Sequence, residues 1–215
     1  MRFLITAGPT REPIDPVRYI SNRSSGKMGY AIAEAAIEAG HEVVLISGPA
    51  SLDPPNGATL VSVATSDEMF DAVHLHVRHC DILVMCAAVA DYRPAKASKQ
   101  KIKKSEAKAV LELIPTRDIL ASFATKDRNF VVVGFAAETE DTEANALKKL
   151  REKNCDVIVA NDARMAMESD ENEVTILFRD AEKKTISRAP KKIVARELIK
   201  IFENVCEKCL TKKIT

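Results

Sequence analysis

The chain has 215 residues, 46% apolar and 29% charged, the balance of a soluble globular protein. Its 32 basic and 31 acidic side chains leave a formal charge of +1, which argues against a general nucleic-acid binder. No run nears the ~18 apolar residues of a membrane helix, and the apolar start at residues 3–8 is too short for a signal peptide. Cys80, Cys86, Cys155, Cys206 and Cys209 are irregularly spaced and odd in number, which suits reduced thiols. The expectation is a cytoplasmic protein with no membrane and no nucleic-acid partner.

In chain order, strands are predicted at 3–6, 42–47, 59–63, 81–86, 130–135 and 156–160. They are rich in Val, Ile and Leu with little polar alternation, as parallel strands buried on both faces are. Between them, 27–39 reads as an Ala-rich helix that Gly40 ends in the left-handed conformation. Thr65, Ser66, Asp67 and Glu68 form a capping box before a helix carrying Met69, Phe70, Val73 and Val77. A shorter helix is predicted at 118–125 and another at 142–153, with Leu147 and Leu150 on one face. Strand–helix alternation at this spacing predicts a Rossmann-like α/β three-layer sandwich with a mainly parallel sheet. In the last third, 174–178 and 185–187 flank Arg179, Asp180, Ala181 and Glu182 as a β-hairpin. Pro190 is read as part of a first helical turn, and Val194, Leu198, Ile201, Val205 and Cys209 as the apolar stripe that follows. The simplest organisation is a single domain over 1–215, with a hairpin plus helix at about 173–210 as a C-terminal extension.

Such sheets bind ligands at the carboxyl ends of their strands. The long loop after the first strand leads into a helix start holding Ser24, Ser25, Gly26 and Gly29, where free N–H groups and the helix dipole attract phosphate. It is not a P-loop: Ser21 stands where the first glycine belongs, and Met28 follows Lys27. Nor is there a G-x-G-x-x-G fingerprint or a ribose-binding acid after the second strand, which disfavours an NAD(P)-dependent reductase. Tyr92 and Lys96 have the Tyr-x-x-x-Lys spacing of such enzymes, but in a Pro-containing loop. In the loop at 86–93, Ala87 and Ala88 permit close ligand approach, and Asp91 is either a hydrogen-bond acceptor or a turn cap. Phe135 either stacks on a base or belongs to the core. Lys149 and Lys153 share a helix face. Residues 94–108 hold six lysines (96, 99, 101, 103, 104, 108) against Glu106 alone. That segment reads either as a solvated loop or as a lid over phosphates. His74, His76, His79 and Cys80 are a weak metal signature and read as helix surface, and the Cys206/Cys209 pair, inside the C-terminal helix with no second Cys pair, is a weak metal or redox signature.

Taken together, several ordered motifs carry a resemblance. They are Thr-Ala-Gly-Pro-Thr-Arg-Glu-Pro at 6–13, Arg-Tyr-Ile-Ser-Asn-Arg-Ser-Ser-Gly-Lys-Met-Gly at 18–29, Ala-Ala-Val-Ala-Asp-Tyr at 87–92, Lys-Ile-Lys-Lys at 101–104 and Gly-Phe-Ala-Ala-Glu-Thr at 134–139. From residue 3 to about 200 the chain closely resembles bacterial phosphopantothenoylcysteine synthetase, the phosphopantothenate–cysteine ligase of coenzyme A biosynthesis. The resemblance implies a two-step amide ligation. The carboxylate of 4′-phosphopantothenate displaces pyrophosphate from CTP, and the amine of L-cysteine then displaces CMP. It implies Mg²⁺, held mainly by the nucleotide phosphates, no flavin within this chain, and a homodimer whose protomers complete each other's sites. Relatives are usually fused to a phosphopantothenoylcysteine decarboxylase, so a free-standing ligase or one half of such a protein is expected. By resemblance, Asn22 orients the carboxylate and holds the acyl carbonyl, Lys101 reaches the phosphates, and Arg18 reaches phosphopantothenate across the dimer. Ala87, Ala88 and Asp91 line the substrate and nucleotide site. Gly8, Ser24, Gly26, Gly29, Phe135, Lys149, Lys153 and Asn161 match further nucleotide contacts, as do Arg117, Asp118 and Ile119. Arg117 departs from the family's usual proline. A catalytically silent regulatory subunit is the other alternative; Asn22 and Lys101 together argue against it.

Overall fold

The computed structural model describes residues 1–104, 108–124, 128–166 and 169–211. β1 (Arg2–Ala7) is followed by an antiparallel ribbon of β2 (Arg11–Pro13) and β3 (Tyr19–Ser21), and by α1 (Lys27–Glu38). Next come β4 (Glu42–Ser47), β5 (Ala58–Ser62), α2 (Ser66–His76), a 3₁₀ turn at Val77–His79, and β6 (Ile82–Met85). A second ribbon pairs β7 (Tyr92–Pro94) with β8 (Leu113–Pro115), ahead of a 3₁₀ turn at Ala121–Phe123. Then follow β9 (Val131–Glu138), α3 (Thr142–Glu152), β10 (Val157–Asp162), the short α4 (Ala163–Ala166), the hairpin β11 (Glu171–Phe178) and β12 (Lys183–Pro190), and α5 (Lys191–Thr211).

Eight strands form one sheet in the order β12-β11-β10-β9-β6-β1-β4-β5. The six from β10 to β5 are parallel, and the hairpin adds two antiparallel strands beyond β10. The chain winds outward from β1 to β5, returns to β6, and winds outward the other way. The order therefore reverses between β1 and β6, where the two following loops must diverge and leave a crevice.

Alternate residues of the central strands feed two apolar layers. Phe3, Ile5, Val84, Val133 and Val159 face α1 and α5, together with Ile32, Leu198 and Phe202. Leu4, Leu83, Val132 and Ile158 face the other way, with Met69, Val73 and Leu150 from α2 and α3. Burial on both faces is why these strands show no polar alternation. Helices α1 and α5 run side by side in the same direction: Lys192 pairs with Glu34 at 2.9 Å and Arg196 with Glu38 at 2.8 Å. Among the described residues, no helix is long and apolar enough to cross a membrane.

The capping box of α2 is formed as expected, Thr65 Oγ1 accepting from Glu68 N and Glu68 Oε2 from Thr65 N. Gly40 follows α1 at φ +84°. Two readings are corrected. Residues 118–124 form a turn with one 3₁₀ segment rather than a helix (Thr125 lies outside the described residues). There the Asp118 carboxylate accepts the Ala121 N–H at 2.7 Å and the Ser122 hydroxyl donates to the Ile119 carbonyl at 2.5 Å, local bonds that compete with helical ones. Pro190 ends β12, and the helix starts at Lys191. β12 is the outermost strand of the sheet, where a missing N–H is tolerated. The two ribbons, with three residues per strand, are too short to leave a sequence period.

Candidate functional site

At the crevice between β1 and β6 lies an open cavity of about 920 Å³. Its first wall is the start of α1. Gly26 caps the helix at φ +79°, a conformation that favours glycine. Gly29 presses on β1 so closely that a Cβ there would stand 2.6 Å from the Ala7 methyl. The helix N-terminus is thereby held at the strand end, with Asn22, Ser24, Gly26 and Gly29 on the cavity surface. Gly8 lies behind them, buried at φ +74°, where a Cβ would meet the Gly48 carbonyl oxygen at 2.7 Å; it serves packing and does not line the cavity.

The second wall is the loop after β6. Ala87, Ala88 and Asp91 line it, and two threonines fix its path. Thr6 Oγ1 accepts from Ala87 N at 3.1 Å and Thr10 Oγ1 from Ala90 N at 3.0 Å; both threonines are fully buried. Ala88 N donates to the Gly8 carbonyl at 3.0 Å, and the Ala88 carbonyl accepts from Thr10 N and from the Asn22 amide at 2.9 Å. One N–H of the Asn22 amide is thus committed to the loop, and this orients the amide group. Cys86 lines the same wall, and burial pushes its thiol up to about 12, which makes it a poor nucleophile.

The third wall is the segment 116–119. Thr116 Oγ1 donates to the Ala90 carbonyl at 2.7 Å and ties this wall to the second. Arg117 lines the cavity, but its guanidinium is taken up by α2. It bonds Asp67 Oδ1 at 2.8 Å and Asp71 Oδ1 at 2.9 Å and lies 3.9 Å above the Phe70 ring. Ile119 is a buried core residue at the cavity edge. Asp118 pairs with Lys153 of the fourth wall at 2.7 Å. Burial opposes the Asp118 charge, yet the Lys153 ammonium, the Ala121 N–H and the charge of Lys149 together outweigh it and lower its pKa. The same bond raises that of Lys153.

The fourth wall holds Phe135, Lys149, Lys153 and Asn161. Lys149 Nζ donates to the Phe135 carbonyl at 2.7 Å, which positions it across the end of β9, and Asn161 donates to Asn172 Oδ1 at 3.2 Å. Lys149 and Lys153 therefore belong to the cavity and are more than surface lysines.

Two residues that the resemblance implicates lie apart from this cavity. Arg18 bonds the Asp15 carboxylate and the Ile102 carbonyl. Lys101 is exposed. Asp15, whose side chain is wholly inaccessible, also accepts from Val17 N, Arg18 N and Ile102 N, so it joins the β2–β3 turn to the lysine segment. The Arg18 guanidinium holds the Asp15 carboxyl well below the usual carboxylate range. Residues 105–107 of the lysine segment lie outside the described residues.

Sequence reasoning missed Asn172, Lys191 and the two buried threonines. Lys191 and Asn172 lie far along the chain from the serine–glycine turn, and nothing in their local sequence points to a ligand. His74 is stacked between Phe70 (4.1 Å) and Phe123 (4.6 Å). Among the described residues no group of three or more His, Cys, Asp or Glu side chains is placed to hold a metal ion. The cavity's mixture of lysines with scattered carboxylates suits a cation that arrives on an anionic ligand.

Fold and cavity define an α/β protein with an open, lysine-bearing cavity at its switch point. A family model described as the DNA/pantothenate metabolism flavoprotein C-terminal domain matches residues 1–205, and the chain belongs to that family. It is 45% identical over 210 residues to the coenzyme A biosynthesis bifunctional protein CoaBC of Vibrio vulnificus (strain CMCP6), covering 94% of this chain and 52% of that protein. The crystal structure of the C-terminal domain of a CoaBC protein matches with a TM-score of 0.83 at 46% identity, covering 96% of each chain. A Cab2 mutant in complex with phosphopantothenate-cysteine matches with a TM-score of 0.86 at 16% identity, a likeness of fold, covering 100% of this chain and 89% of that one. The chain spans about half the length of the curated relatives it matches.

Proposed function

We propose that this chain is a phosphopantothenate–cysteine ligase acting in coenzyme A biosynthesis. In the first step a carboxylate oxygen of 4′-phosphopantothenate attacks the α-phosphorus of CTP. The α–β anhydride bond breaks, pyrophosphate leaves, and an acyl cytidylate forms. In the second step the amine of L-cysteine attacks the acyl carbon, gives up a proton, and expels CMP.

The observation that carries this reading is the convergence of the family-like motifs on one cavity. Asn22, Ala87, Ala88, Asp91, Phe135, Lys149 and Lys153 come from distant parts of the chain and line the same space. The chemistry demands that a carboxylate approach a triphosphate, so fixed positive groups must offset the charge at no reorganisation cost. The α1 N-terminus and the lysines of α3 supply that field. The Asn22 amide, anchored through one N–H to the Ala88 carbonyl, has a second N–H to offer the acyl carbonyl oxygen, a donor that an aspartate would lack. When bound, Mg²⁺ would neutralise polyphosphate charge; the phosphates themselves would hold it, with Asp91 the carboxylate of the adjoining wall.

The homodimer belongs to the same proposal. Arg18 and Lys101 do not line the cavity of their own chain, and they are flanked in the chain by exposed apolar side chains: Val17 (59% exposed), Tyr19 and Ile102. A second copy would cover that surface and receive both cations in its own site. The lysine segment then acts as the lid of the neighbouring cavity and keeps water from the acyl cytidylate.

Incubation with phosphopantothenate, cysteine, CTP and Mg²⁺ should release pyrophosphate and form phosphopantothenoylcysteine. No release, beside an active control enzyme, rejects the proposal. ATP in competition tests the choice of base, and omission of Mg²⁺ tests the metal.

A further inference from the structure

Lys191 is the only buried lysine among the described residues, at 8% exposure. It opens α5, donates from Nζ to the Ser169 carbonyl at 2.6 Å and from its backbone N to the Asp170 carbonyl at 2.9 Å, and lines the cavity. Met28, Cys86 and Asn172 line the cavity with it, and the Lys27 ammonium and the Asp170 carboxylate are the charges that act on it. Burial, and then the charge of Lys27, push its pKa below the ordinary lysine value. Lys27 itself stands on the cavity rim, paired with Asp170 at 2.6 Å.

For stability alone this is a costly place for an ammonium. Desolvation and a second lysine together oppose the charge more than the nearby Asp170 carboxylate favours it, and an aliphatic residue would fill the space without either penalty. An anion bound in the cavity reverses the balance. The direction of α1 and α5 strengthens the case. They lie parallel, so the positive ends of both helices, with Lys27 and Lys191, face the same end of the cavity, opposite the Lys149/Lys153 wall.

We infer that Lys191 binds a phosphate group of a ligand at the serine–glycine end of the cavity. The inference rests on the ligase reading for the identity of the ligand, which carries phosphate either as the nucleotide polyphosphate or as the 4′-phosphate of the acid substrate.

Calorimetric titration of the intact protein and of Lys191→Met separates these sources. Four ligands are used: CTP, cytidine, 4′-phosphopantothenate and pantothenate. Loss of a charge-assisted contact should weaken a phosphorylated ligand by about 10–100-fold while sparing its dephosphorylated partner. Loss for CTP assigns Lys191 to the polyphosphate, and loss for phosphopantothenate assigns it to the substrate phosphate. Lys191→Arg should restore part of the affinity. The melting temperature of Lys191→Met should be unchanged or raised, because a buried charge is removed; a structural lysine would give a fall. Unchanged affinity for all four ligands, or equal weakening with and without phosphate, overturns the inference. Lys191→Gln provides the same comparison if the methionine variant does not fold. If the intact protein binds neither CTP nor phosphopantothenate, the ligase reading fails by itself. Inorganic tripolyphosphate then decides on Lys191: binding that the substitution abolishes supports it, and any other result overturns it.

Discussion

The cavity walls and the lysine segment are held in opposite ways. The first three walls are tied together by hydrogen bonds, most of them among buried or half-buried groups: Thr6 and Thr10 to the β6 loop and Thr116 to Ala90, with the exposed Asn22 bonded to Ala88. Lys101 and its neighbours are exposed, and the segment meets the rest of the chain through the Asp15–Arg18 cluster and the bond from Ser98 N to the Ile14 carbonyl. Groups that must meet a ligand in one geometry are preorganised by neutral hydrogen bonds that cost no charge burial. The lid proposed for the lysine segment would be anchored at its described residues through ionic groups near its base.

Five substitutions would break or sharpen this contrast. The largest effect is expected from Asn22→Asp and Lys101→Gln, each lowering turnover by about 10²–10³-fold. Rapid-quench analysis of Asn22→Asp should show acyl cytidylate accumulating while little amide forms. Mixing the two inactive variants tests the dimer directly. If Lys101 serves the partner's cavity, each mixed dimer contains one intact site and activity returns; if it serves its own, none does.

Next is Thr10→Val, which keeps the shape but strands the buried Ala90 N–H. It should cost about 1–3 kcal/mol in urea unfolding and raise the substrate KM with it. An unchanged denaturation midpoint would show that the wall does not depend on that bond.

Asp15→Asn should act on the anchor alone. The folded carboxyl of Asp15 is depressed below its ordinary value of 3.8, so its stabilising contribution is present above that value and is lost as the pH falls toward the folded one. The native protein should therefore lose stability in acid by an increment that the asparagine variant lacks. Parallel pH-melting curves would deny Asp15 this part.

The smallest effect is expected from Arg117→Ala. The 116–119 wall would lose its bonds to Asp67 and Asp71, and the nucleotide KM should rise severalfold at nearly constant kcat. A fall in kcat of similar size would mean that Arg117 meets the ligand itself.

Much of this was legible because the signals were local. Consecutive Val and Ile residues announced the parallel strands, Thr65 and Glu68 the start of α2, and Gly40 the end of α1. Ser24, Gly26 and Gly29 marked a helix start open to anions, and the ordered motifs matched the family that the comparisons found. Other features were hidden because they depend on distance in space. Thr6 and Thr10 look like ordinary loop and strand-end residues until the β6 loop is laid over them. Arg117 matches a nucleotide contact by resemblance, and only the fold shows that α2 takes its guanidinium.

By itself, the sequence determined the layered α/β class, the position of the crevice-forming loops and the residue types around them, because periodicity, caps and motif order are properties of neighbours along the chain. Only the tertiary structure decided which cations face the cavity. Lys149, Lys153 and Lys191 do, while Lys101 and Arg18 of the same chain do not. Where a long side chain ends, and what it costs to bury its charge there, is set by packing between elements far apart in the chain.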